Sequence, residues 1–188
     1  MAALQGSGDR SGGGVCWITG LSGAGKSTLA KAVAERLRRR GKAVLLLDGD
    51  ELREVFDAVD PGAGNHGREE RLALAFRYAR LCGILARQEI VVVIATISLF
   101  REVHDWNRRH LPQYFEVYLK VPLEELRQRD PKGLYAAFDR GEVSDIAGVD
   151  LEVDEPRNPD CRLDHDETLT VTDLADLVVE KLEKKISP

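Results

Sequence analysis

The chain has 188 residues, 43% of them hydrophobic and 31% charged, the mixture of an ordinary globular protein and not of a disordered or collagen-like one. With 27 Lys and Arg against 32 Asp and Glu the formal charge is −5, which counts against a general nucleic-acid binder. The three cysteines form no CxxC pair, and the four histidines make no familiar ligand spacing with them, which argues against a disulfide framework or a structural zinc site.

Residues 1–14 (MAALQGSGDRSGGG) are rich in Gly and Ser and lack the apolar stretch of a signal peptide. They read as a flexible leader before a single domain over 15–188. Val15–Thr19 (VCWIT) is a short apolar, β-branched run that suits a buried strand, with Trp17 expected in the core. A glycine-rich turn follows, and then Leu29, Ala30, Val33, Ala34 and Leu37 recur at helical spacing within Ser27–Arg40, before Gly41. The arginines of Arg36–Arg40 are expected on a solvated face near the helix end. Ala43–Leu47 predicts a second strand, ending at Asp48-Gly49-Asp50, and a helix is expected from Glu51.

Glu69–Arg87 has the apolar side of a long helix, and Ile90–Ile97 and Tyr114–Val121 read as strands. Between them, His104 and His110 flank Trp106 on a helix, too far out of phase to share a face. Leu169–Val171 is expected to add a short fifth strand before a closing helix from Asp173 to about Lys185. The stretch from Pro131 to about Asp166 reads as irregular, and a loop of that length suggests a functional lid. Short apolar strands alternating with helices predict an α/β fold, a mainly parallel sheet covered on both faces. The longest apolar run, Val91–Ile97, falls short of the ~20 residues that a membrane span needs, so a cytoplasmic protein with no membrane partner is expected.

The strongest local signal is Gly20-Leu21-Ser22-Gly23-Ala24-Gly25-Lys26-Ser27, which satisfies GxxxxGK[ST] between a strand and a helix. Such a loop turns its backbone N–H groups inward onto phosphate oxygens, and the following helix adds the positive end of its dipole. Lys26 would meet the β- and γ-phosphates, and the Ser27 hydroxyl would bind Mg²⁺. The motif predicts an NTP-binding protein of the P-loop NTPase type. No guanine-reading NKxD segment and no LSGGQ signature is present. Two acids around a glycine, Asp48 and Asp50, follow the second strand and face the same crevice. There they could serve Mg²⁺ or orient and deprotonate an acceptor hydroxyl, which favours a small-molecule kinase.

WITGLSGAGKST around the loop, LLDGD at Leu46–Asp50 with Arg53 after it, RDPKGLY at Arg129–Tyr135 and EPRNP at Glu155–Pro159 together resemble adenylyl-sulfate (APS) kinases over roughly residues 15 to 165. The resemblance implies ATP-dependent phosphorylation of the 3′-hydroxyl of a nucleotide, APS to PAPS by default, with Mg²⁺, a lid over about 129–150 and a homodimer. It makes Gly20–Thr28 the ATP loop and places Asn158 and Pro159 beside the ATP base. Lys26, Asp48, Asp50 and Ser98 become the catalytic candidates, with Ser27 and Asp48 at the metal. Asp50, Arg53, Arg68, Ile97, Arg101 and Lys132 fall at the acceptor. Ser98 matches the serine of the FISPxR segment and is read as an acceptor-site contact.

Three departures bear on the acceptor. Where these kinases usually have LGFS, this chain has Gly62-Ala-Gly-Asn65-His-Gly-Arg68; where their lid reads FTGID, it has Ile146-Ala-Gly-Val-Asp150; and ENIRR becomes Glu70-Arg-Leu-Ala-Leu74. Both aromatics expected to sandwich the adenine of APS are lost, a stacking contribution of roughly 1–3 kcal/mol per contact. The segment Ala95–Arg101 with EVHDWN after it resembles a branch found with bacterial surface-polysaccharide genes, one member of which resembles a cytidine diphosphoramidate kinase, and this implies the alternative of the same chemistry on a cytidine-based activated nucleotide. A catalytically silent nucleotide-binding module is the reading of another class, and the intact Lys26, Ser27, Asp48 and Asp50 count against it.

Overall fold

The structure is a computed structural model that describes residues 13–59 and 67–186. The proposed leader lies almost wholly outside the described residues, as do residues 62–66 of the segment that replaces LGFS. Five strands, β1 (Gly14–Thr19), β2 (Val44–Asp48), β3 (Val91–Thr96), β4 (Tyr114–Lys120) and β5 (Cys161–Asp164), form one sheet in the order β2-β3-β1-β4-β5. Every neighbouring pair is parallel, with β1 at the centre.

The apolar runs are continuous because both faces of the sheet are covered, and alternate side chains feed two cores. Cys16 and Ile18 of β1, with Val91, Val93 and Ala95 of β3, pack against α1 (Lys26–Arg39) and α7 (Val171–Ile186). Val15 and Trp17, with Val92 and Ile94, face α3 (Arg68–Ala86) and α4 (Arg101–His110) instead. Trp17 is fully buried, as its place in an apolar strand predicts. Tyr114, Phe115 and Tyr118 of β4 are core residues too. Arg36 and Arg40 do more than face solvent: they form ion pairs with Asp176 and Glu183 of α7.

The fifth strand is a correction. Thr170 caps α7: its hydroxyl and backbone N–H donate to the Asp173 carboxylate at 2.6 and 2.9 Å, and the Asp173 N–H returns a bond to the Thr170 hydroxyl. Leu169 and Val171 are exposed beside this cap. The true β5 alternates, Cys161 and Leu163 inward, Arg162 and Asp164 outward, the pattern of an edge strand that a search for apolar runs misses. The stretch from Pro131 to about Asp166 is also more ordered than expected, with α6 (Leu134–Asp139) and β5 in it, and α5 (Leu123–Arg129) precedes it. The segment after β2 is helical, α2 (Gly49–Val59). Among the described residues, no helix is long and apolar enough to cross a membrane.

Candidate active site

In a parallel sheet of this order, the crevice opens at the C-terminal ends of the central strands. There the loop after β1, the acids after β2 and the Ile97–Ser98 turn after β3 converge. Gly20 sits so close to β4 that a Cβ would stand 2.6 Å from the Leu119 carbonyl oxygen, and Gly25 adopts φ +90° with open space around it. Glycine is needed for close approach at the first position and for left-handed backbone at the second.

Lys26 Nζ donates to the Leu21 carbonyl at 2.7 Å. Burial pushes its pKa down to about 8, against the opposing pull of Asp50, so the site holds an ammonium short of anionic partners. Ser27 Oγ donates to Asp48 Oδ2 at 2.5 Å, and Asp48 Oδ1 accepts the Asp50 N–H at 2.9 Å. Burial alone would push the Asp50 carboxyl up. The hydrogen bond and charge of Lys132, with Arg53 and Lys26, outweigh it and hold the group below the usual carboxylate range. The donor set fits a divalent cation: a hydroxyl and a carboxylate side by side at the loop's end are the hard oxygen ligands that Mg²⁺ takes.

A cavity of about 390 Å³ joins the loop to the acceptor side. Ser22, Lys26, Ser27, Thr28, Asp48 and Asp50 line it, and so do Arg53, Ile97, Ser98 and Lys132. Ser98 has φ +23°, and its hydroxyl lies 2.8 Å from that of Thr96. Two expected acceptor residues are not in the lining. Arg68 and Arg101 stand outside, paired with Glu102 and Asp154, and the Arg68 guanidinium lies over the Phe100 ring. Arg71 and Tyr78 line the cavity although no motif marked them, and so do Phe100 and Arg129, which lay inside quoted segments without an assigned role. For Arg71 the changed ENIRR segment was the available signal.

Segment 129–150 packs onto the phosphate loop. Tyr135 Oη donates to the Ser22 carbonyl at 2.9 Å, and Gly148 (φ +81°) presses so close to Leu21 that a Cβ would meet its methyl at 2.8 Å. At the position of the lost lid aromatic, Ile146 is only 4% exposed and joins the core below, while Ala147 faces the cavity.

A second cavity of about 520 Å³ lies on the other side of the loop, between Ala24, Thr28, Arg129, His165 and Leu169. Asn158 and Pro159 line neither cavity. The Asn158 carbonyl accepts from Arg108 at 3.1 Å, because Arg108 and Lys185 hold Asp160 and draw this segment toward α4 and α7. The second cavity is lined instead by residues of 163–171, from the end of β5 to the start of α7. Arg108 also reaches Glu116, a carboxylate 2% exposed in β4 that accepts from Tyr114 at 2.8 Å and meets His104 Nδ1 at 2.7 Å. His104 is thus a core residue.

The family model described as adenylylsulphate kinase matches residues 12–164. A cytidine diphosphoramidate kinase of Campylobacter jejuni is 36% identical over 173 residues, 89% of this chain and 95% of that protein. A probable adenylyl-sulfate kinase of Pyrococcus abyssi is also 36% identical, over 88% of this chain and 92% of its own. Among solved structures, the APS kinase of Mycobacterium tuberculosis in complex with AMPPNP and APS superposes with a TM-score of 0.82 at 33% identity, covering 91% of this chain and 98% of that one. The phosphate loop, the Asp48–Asp50 pair and this likeness along nearly the whole chain agree: the chain belongs to the adenylylsulphate kinase family of ATP-dependent phosphotransferases.

Proposed function

We propose that the protein transfers the γ-phosphoryl group of ATP to the 3′-hydroxyl of a cytidine-based activated nucleotide, of the cytidine diphosphoramidate type. The observation that carries the choice of acceptor is the lid position 146–147. It offers the cavity an alanine methyl, with Ile146 turned into the core, where an adenine acceptor would want a stacking ring. The Campylobacter relative supports the same reading, and its identity to this chain equals that of the adenylyl-sulfate kinase from Pyrococcus.

In this mechanism the amides of Gly20–Thr28 and the Lys26 ammonium hold the β- and γ-phosphates, and the donor base enters the second cavity beside Arg129 and His165. Mg²⁺, held by Ser27 and Asp48, would draw charge from the phosphate oxygens. Asp50 accepts the proton of the 3′-hydroxyl as its oxygen attacks the γ-phosphorus and ADP leaves. Lys132, paired with Asp50 at rest, is close enough to the loop to meet charge on the transferring group. Arg53 holds acceptor phosphate, and Ser98 contacts the acceptor. Closure of 129–150 excludes water, so that ATP is not hydrolysed.

A coupled ADP-release assay with cytidine diphosphoramidate and APS tests the choice. The expected kcat/KM favours the cytidine nucleotide by about tenfold or more, the factor that one lost stacking contact supplies. A higher kcat/KM for APS returns the enzyme to the sulfate-activating reaction. The family resemblance also supports a homodimer, which sedimentation velocity would register as a species of twice the 20.9 kDa chain.

A further inference from the structure

Most arginines near the site have their charge answered by a carboxylate: Arg68 by Glu102, Arg101 by Asp154, Arg108 by Glu116, Arg129 by Glu125. Arg53 and Arg71 differ. Both are partly buried in the lining of the first cavity, the one that holds Asp48 and Asp50, and in each the Nε is sealed from solvent with no hydrogen-bond partner among the described residues. They lie near enough that the charge of Arg53, after desolvation, pushes the Arg71 pKa down. Asp50 acts on Arg53, and Asp145 and Asp150 on Arg71, only through space, and two adjoining, partly desolvated guanidiniums with no carboxylate in ion-pair contact among the described residues are costly unless an anion joins them. A guanidinium fork matches phosphate oxygens in pairs.

Arg71 has a second contact. Its Nη2 donates to the Asp145 carbonyl at 2.5 Å. That carbonyl is presented by a small turn in which Asp150 accepts the N–H groups of Asp145 and Ile146 at 2.9 and 2.6 Å, with Asp145 at φ +61°. The same guanidinium therefore touches the 129–150 segment and faces the acceptor cavity.

We propose that Arg71, beside Arg53, recognises the charged group beyond the α-phosphate of the acceptor and links its binding to the position of segment 145–150. The inference rests on the phosphotransfer reading above and assigns to Arg71 the part that Arg68, held outside the cavity by Glu102 and Asp154, does not take. The acceptor class is a nucleotide with a two-unit anionic 5′-tail, as opposed to a nucleoside monophosphate.

The test measures steady-state kinetics for Arg71→Gln and Arg71→Lys with whichever of cytidine diphosphoramidate and APS the unmodified enzyme phosphorylates, and with the 5′-monophosphate of the same nucleoside. For Arg71→Gln, KM for the tail-bearing acceptor should rise about 10- to 100-fold, with a change of less than about threefold for the monophosphate and for ATP. Arg71→Lys keeps the charge, guards against a folding defect, and should recover part of the loss without the fork geometry. A purely structural role would weaken both acceptors alike or neither, and that result overturns the assignment. If the unmodified enzyme phosphorylates neither nucleotide, the phosphotransfer reading falls and this inference with it.

Discussion

Lys26 shows how a single residue joins burial to function. Desolvation leaves its ammonium with a pKa of about 8 in the free protein, and a polyphosphate beside it would restore the charged form toward the ordinary lysine value. Because the bound state then holds the proton more tightly, nucleotide binding takes up protons above about pH 8, and affinity falls as pH rises from there toward the usual lysine range. Calorimetry of AMPPNP binding at about pH 8.5, in buffers of different ionisation enthalpy, should reveal uptake of a fraction of a proton. A buffer-independent heat would contradict the account. The phosphate loop, Asp48, Asp50, Arg53, Ser98 and Lys132 were legible because their motifs fix both residue type and spacing. Arg71 was not: motif matching marks what is kept, and here the informative residue stands where the pattern breaks.

At the scale of elements, β4 carries a carboxylate where an apolar residue would suit the strand. Glu116 is tolerated because His104, Arg108 and Tyr114 surround it. Burial pushes its carboxyl up, but the bond and charge of His104, with Tyr114 and Arg108, hold it below the usual range. Removing one member of such a buried set leaves the others uncompensated. Glu116→Ala is therefore expected to cost about 3–5 kcal/mol of unfolding free energy in urea titration, and a loss under about 0.5 kcal/mol would show that the network contributes little. The four strands β1 to β4 could be read from sequence since their runs are mainly apolar, Glu116 being the one charged residue in their interiors. β5 could not, because its edge position exposes Arg162 and Asp164, and the nearby Leu169–Val171 run turned out to flank a helix cap. Asn158 and Pro159 fell in a segment whose course is set by Asp160 meeting Arg108 and Lys185, contacts that no local pattern announces.

Across the whole molecule, an acidic chain handles anionic substrates by concentrating cations in one crevice: Lys26, Arg53, Arg71, Arg129 and Lys132 meet there while the net charge stays at −5. The two cores around the sheet hold all three cysteines. Burial pushes the Cys82 thiol up to about 12 and the Cys16 thiol higher still, so neither offers thiolate to a reagent in the folded state. Labelling by an aromatic disulfide reagent should accordingly be negligible in native protein and reach all three thiols only on unfolding; one fast-reacting thiol under native conditions would contradict the packing described. The central claim, phosphoryl transfer from ATP to a nucleotide 3′-hydroxyl, is tested most directly by ³¹P and ¹H NMR of the product formed from ATP and cytidine diphosphoramidate. A new phosphomonoester coupled to the ribose 3′-proton, absent with Lys26→Ala and with a 3′-deoxy acceptor, is the predicted result. A phosphate on any other atom, or product from the 3′-deoxy acceptor, would contradict it.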